Sequence, residues 1–141
     1  MVIRRFGLVR LIVCVLPLLL FLSSCTEKEK ASGVAVEYRL LFSLPVSYAE
    51  AFEVGAPLLD GVSKELCGKV LAVESQPFML ETARGVKEDP ARCRLIVTVR
   101  AEGRLTEGGL SIGSLSPILG RRFFIHAPCV ADGICLGGRL V

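Results

Sequence analysis

The sequence predicts an all-β fold: a small barrel or sandwich of about six to eight short strands with at most one or two short helical turns. Three observations carry this. Apolar residues alternate with period two in short runs that recur roughly every eight to twelve residues. Fourteen glycines punctuate those runs, often beside Asp, Glu or Pro, as turns require. No segment carries the 3.6-residue periodicity of a long amphipathic helix.

The elements follow in order. Val34, Val36, Tyr38, Leu40 and Phe42 alternate with Ala35, Glu37, Arg39, Leu41 and Ser43, a strand with one almost wholly apolar face, ended by Pro45. Val46–Phe52 suits one or two helical turns, with Ser47 as N-cap and Glu50 at capping-box spacing, stopped by Gly55. Ala56–Leu59 is a short strand before the turn Asp60-Gly61, and Gly68–Glu74 is another. Ala83–Arg92 is polar and reads as an exposed loop. Arg94–Arg100 is the strongest strand, with Leu95, Val97 and Val99 on one face. Glu107-Gly108-Gly109 turns into a short strand at Leu110–Ile112. After Pro117 and Gly120, Arg122–His126 forms another strand, and a hairpin over Cys129–Cys135 closes the chain.

The amino-terminal segment sets location. Leu11–Cys25 (LIVCVLPLLLFLSSC) is an apolar run that follows Arg4, Arg5 and Arg10 and ends in small residues. A basic start, a short apolar stretch and small residues before a cleavage point define a secretory signal. The wider apolar stretch from Phe6 to Leu22 is interrupted by Gly7, Arg10 and Pro17 and falls short of the roughly 20 residues of a spanning helix. Leu22-Ser-Ser-Cys25 resembles the lipobox of bacterial lipoproteins. That resemblance implies cleavage after Ser24 and a diacylglyceryl lipid on the Cys25 thiol, the one covalent group expected and no other cofactor. The expected organisation is a signal peptide over 1–24, lipidated Cys25 with a flexible tether over 25–33, and a single β domain over 34–141. The chain would then be exported and lipid-anchored, on the outer face of the plasma membrane or in the outer membrane. Eight residues of fully extended tether reach at most roughly 29 Å, so the domain works close to the bilayer.

Charge and cysteines narrow the classes. The formal net charge of +3 comes from the three signal arginines, so the remainder is neutral. It offers no basic stripe for nucleic acid. Beyond Cys14 and Cys25, the four cysteines Cys67, Cys93, Cys129 and Cys135 permit two disulfides in an exported domain. A loop at Ala131-Asp132-Gly133 would set Cys129 opposite Cys135, leaving Cys67 for Cys93. Buried free thiols are the competing reading, and with no C-x₂-C pair zinc is not expected.

Two segments also resemble a known family. Phe52-Glu-Val-Gly-Ala-Pro-Leu-Leu-Asp with Cys67-Gly-Lys-Val-Leu-Ala-Val is one. Arg94-Leu-Ile-Val-Thr-Val-Arg-Ala-Glu, Gly109-Leu-Ser-Ile-Gly and Ile118-Leu-Gly-Arg-Arg-Phe-Phe-Ile is the other. Together they resemble the bacterial family called domain of unknown function 4330 over Val34–His126. The resemblance implies a small membrane-held β-barrel and carries no activity. Such proteins usually have a membrane-spanning helix, for which this chain would substitute a lipid. Val54-Gly-Ala-Pro-Leu58 and Gly68-Lys-Val70 are more distantly similar to MCE domains, the barrels of lipid-transport systems. That implies lipid binding or shuttling as the alternative function, with Gln76–Leu80 the only candidate for a pore loop.

Chemistry is sparse. His126 is the only histidine and reads as a surface or edge residue. Gly113-Ser-Leu-Ser-Pro lacks the closing glycine of a nucleophile elbow. Glu88-Asp89 reads as a solvated loop, Gly137-Gly138 as a strand-end bend, and no cysteine has a resolving partner at redox spacing. An enzyme is not expected. Bulky residues on successive positions at Gln76–Leu80 and Phe123-Phe124-Ile125 read first as strands buried on both faces near a barrel end, with a protein- or lipid-contact surface as the competing reading. The expected partners are the membrane, through the lipid, and other envelope proteins.

Overall fold

The computed structural model describes residues 33–141; the signal segment, Cys25 and all but the last residue of the expected tether lie outside the described residues. Seven strands and one helical turn follow in order: β1 (Gly33–Pro45), α1 (Val46–Ala49), β2 (Pro57–Asp60), β3 (Leu66–Thr82), β4 (Gly85–Thr106), β5 (Gly109–Ser111), β6 (Arg122–Ala127) and β7 (Ala131–Leu140). The sheet runs β1-β7-β6-β2-β3-β4, and β4 returns to pair with β1. Every pairing is antiparallel. The result is a closed six-stranded barrel, with β5 as an extra strand on β4.

Alternation in β1 and β4 explains the closure. Val36, Tyr38, Leu40, Phe42 and Leu44 of β1 are buried, as are Cys93, Leu95, Val97, Val99 and Ala101 of β4. Their intervening residues face outward, so a one-residue slip would expose both apolar sets. The seam runs without a register break from Gly33 opposite Arg104 to Pro45 opposite Arg92. Across it, Glu37 accepts ion pairs from Arg100 at 3.5 Å and Arg139 at 2.8 Å, one outward row over β4, β1 and β7. Such exposed pairs fix register more than they stabilise.

The interior is filled by side chains, as in other small barrels. Leu58, Val70, Phe123, Ile125 and Cys135 complete the ring around β1 and β4. At the Pro45 end Phe52 packs against Phe42, ring centroids 5.1 Å apart and planes tilted by 40°. At the Gly33 end Ile112 is buried just after β5.

One polar contact is built into this core. Cys67 is skipped in the β2–β3 register, where Leu58 pairs with Gly68 and Leu59 with Leu66. Its carbonyl is therefore left out of the ladder and accepts a 2.8 Å hydrogen bond from the buried Tyr38 hydroxyl. Removing the hydroxyl strands a buried acceptor, which costs about 1–3 kcal/mol; Tyr38→Phe is expected to lose that much in urea unfolding at neutral pH. Burial pushes the Tyr38 hydroxyl far above its ordinary value near 10, and burial likewise pushes the Cys67 thiol up to about 11. Both groups stay neutral when folded but ionise when unfolded. Their stabilisation is thus complete below the unfolded values, about 9 for the thiol and 10 for the phenol, and is lost as pH rises beyond them. Stability should fall above pH ~9–10, and Tyr38→Phe should flatten the upper part of that fall.

Three expectations are corrected. Residues Ala83–Arg92 are not a loop: after the turn, Gly85 onward is the first part of β4, polar because both its faces meet water. Ser47 is not the cap; α1 starts at Val46 directly after Pro45, which holds the N-cap position with extended backbone (φ −57°, ψ 142°) and makes no side-chain capping bond. The Cys129–Cys135 hairpin does not form. Ile125 pairs with Ala131 and Phe123 with Gly133, so Asp132 and Gly133 are strand residues and Cys129 lies in the preceding turn. Cys135 is four residues beyond Ala131, the first residue of β7, roughly 13 Å of strand away from that turn. Cys67 and Cys93 are further apart still. Lys69 pairs with Arg100, placing Cys93 roughly 23 Å or more down β4, against the ~7 Å Cα limit of a bridge. All four thiols are free in this structure.

Candidate functional site: the projecting ribbon of β3 and β4

The barrel needs only part of its two longest strands. On β3, β2 covers residues as far as Lys69, and the Gly55–Ala56 backbone bonds Val70 on both sides. From Leu71 the outer edge has no strand partner among the described residues. On β4, β1 pairing stops at Arg92. The remaining halves pair with each other alone, Phe78 with Asp89 through Thr82 with Gly85. They form a two-stranded ribbon that continues past the Pro45 end of the barrel.

Its root is specified by the sequence. Pro77 pairs with Cys93, but Phe78 pairs with Asp89, so Pro90, Ala91 and Arg92 form a bulge on β4. The Asp89 carboxylate accepts the Ala91 N–H at 3.0 Å, holding that bulge. The Arg92 guanidinium lies 4.5 Å from the centre of the Phe78 ring and donates to the Ser43 carbonyl at 3.3 Å. Arg92 thus ties the ribbon to the end of β1. Pro77 and Pro90 blunt both edges near the root, as prolines do on edge strands.

Beyond the root both faces are open. Phe78 and Leu80 share one face with Lys87; Met79 and Val86 share the other with Glu81 and Glu88. Met79, Leu80 and Val86 are large apolar residues more than 40% exposed. An isolated two-stranded ribbon is marginal in water, and among the described residues this one has no layer over either face.

The other sequence candidates are dispersed. Gln76–Leu80 is a stretch of β3 within this ribbon rather than a pore loop. Of Phe123-Phe124-Ile125, the outer two point into the barrel, and Phe124 lies outside over Gly61. His126 is exposed on β6. Glu88 and Asp89 are ribbon residues, and Gly137 sits in the bulge where β7 slips against Tyr38 and Leu40. Burial raises the thiols of Cys67, Cys129 and Cys135, which keeps them protonated and poorly nucleophilic. Among the described residues no His, Cys, Asp or Glu group is arranged to hold a metal, and no helix is long and apolar enough to cross a membrane. The ribbon itself escapes sequence reading because its β4 half lacks apolar alternation. The only signal for it is the cluster Phe78-Met79-Leu80 ahead of a turn ending in Gly85.

Comparison with known protein families, characterised proteins and solved structures found no match.

Proposed function

We propose that the protein is an exported lipoprotein, anchored through Cys25, whose barrel is a non-enzymatic interaction module for other envelope proteins. The ribbon carries this reading: it spends much of the two longest strands on an element that contributes nothing to the core and displays apolar side chains on both faces. The side-chain-filled barrel supports it as a rigid mount. A lipid-carrying role, the MCE-like alternative, would have to use the outside of the barrel instead. The best-suited place is a groove of about 720 Å³ lined in part by Leu66, Leu71, Lys69 and Arg100.

Two measurements test the proposal. Mass spectrometry of the mature chain should find a diacylglyceryl group on Cys25, absent from Cys25→Ser; an unmodified mature chain overturns the anchor. Replacing Met79, Leu80 and Val86 by Ser should abolish co-purification with envelope partners while changing barrel stability by no more than about 0.5 kcal/mol. Unchanged co-purification overturns the ribbon's role.

A further inference from the structure

We infer that the Gly33 end of the barrel is a bilayer-contacting rim, which seats the domain on the membrane with the ribbon directed away from it. The inference rests on the anchoring reading above and adds an orientation and a lipid-contact surface.

Register places the parts. Gly33 pairs with Arg104 and Pro45 with Arg92, so the described chain begins at one end of the barrel and the ribbon leaves from the other. From the Arg104 row to Gly85 is roughly 60 Å along β4. Among the described residues, the Gly33 end carries four large apolar side chains with no layer over them. Leu105 lies just past the Arg104 row and pairs with Leu110. Leu140 pairs with Val36, near the start of β1. Leu66 lies three residues before Lys69, which pairs with Arg100, so it stands level with the Val34 row. Val62 sits in the β2–β3 loop beyond it. Each of the four is more than half exposed.

The Val62 loop is held open by design. Asp60 is buried, and its carboxylate accepts the Val62 N–H at 2.9 Å, the Ser63 N–H at 2.6 Å and the Ser63 hydroxyl at 3.0 Å. The Ser63 N–H bond above all holds the carboxyl below its ordinary range. Lys64 then turns through φ 61°. The loop spends its polar groups on itself and turns the Val62 side chain outward.

The occupant follows from chain length. Gly33 lies only eight positions after Cys25, so an acyl anchor lies at most roughly 29 Å of extended chain from this rim. Apolar side chains held that close to a bilayer gain by entering its interface. The charges nearby, Lys64 and Arg104 against Glu65, Glu102 and Glu107, sum to −1 and form no basic patch for anionic headgroups. The contact is therefore apolar, and zwitterionic lipid suffices without anionic headgroups.

The test uses the full lipidated chain in phosphatidylcholine vesicles. Cys129→Ser removes the one partly exposed thiol among the described residues, and an environment-sensitive fluorophore is placed at Leu105→Cys or Val62→Cys. Leu80→Cys on the ribbon and Ile134→Cys on the barrel side serve as comparators. Brominated phosphatidylcholine should quench the rim labels at least twofold more than the ribbon label, at low and high salt alike. Quenching that is equal at all sites, greatest at Leu80, or abolished by salt overturns the inference while the lipid found on Cys25 leaves the anchor standing. A chain without lipid on Cys25 overturns both.

Discussion

Gly68→Ala is expected to destabilise the barrel by about 3–5 kcal/mol, combining backbone strain with a forced displacement. Gly68 follows the skipped residue Cys67 and has φ +135°, where side chains are strained. A Cβ there would meet the Arg100 carbonyl oxygen at 2.5 Å, Val99 Cγ1 at 2.7 Å and the Ala101 Cβ at 2.9 Å. The first of these is backbone in the closing strand β4, so relief requires β3 and β4 to part. Gly55→Ala separates the two causes. Its φ is +89° but nothing lies within 4 Å of the added Cβ, so strain alone should cost about 1–2 kcal/mol. The chain has no Trp, so urea unfolding is best followed by far-ultraviolet circular dichroism. Equal losses for the two variants would mean that β4 does not crowd Gly68.

The same residues show what was legible in the sequence and what was not. β1 and the centre of β4 could be read because each has one face in a core, and burial writes a period-two pattern into such strands. Val36 to Phe42 and Leu95 to Val99 are that pattern. The distal half of β4 has no core to face, so Lys87, Glu88 and Asp89 carry no alternation and read as loop. Its strand state comes from β3 alone. The Cys129–Cys135 hairpin fails for a related reason. A local turn signal at Ala131-Asp132-Gly133 competes with pairing of Gly133 to both Phe123 and Phe42, and the long-range pairing wins. Bulges at Cys67 and at Pro90–Arg92 are likewise set by neighbouring strands. The ribbon was therefore legible only as an apolar cluster, and the rim only as scattered Val and Leu residues. The expected signal and lipid site at Cys25 rest on local sequence chemistry alone and lie outside the described residues.

Phe42→Ala is expected to cost about 3–5 kcal/mol, the range for a fully buried aromatic ring. Phe42 is completely buried and closes the Pro45 end with Phe52. Its place depends on a bare backbone opposite. A Cβ on Gly133 would stand 2.6 Å from Phe42 Cε1 and 2.8 Å from Cδ1. Gly133→Ala alone should therefore cost about 1–3 kcal/mol by overpacking. In the Phe42→Ala background that clash is gone, and the new methyl enters space the ring has left. The double variant should be more stable than the sum of single losses by about 1–2 kcal/mol. Recovery is only partial, because the Leu41 carbonyl oxygen, 3.1 Å from the same Cβ, belongs to backbone that neither substitution moves. Additive losses would mean that ring and backbone do not share the space. A favourable coupling would make Gly133 the residue that lets β7 close over Phe42, and so part of what keeps the ribbon's end of the barrel rigid.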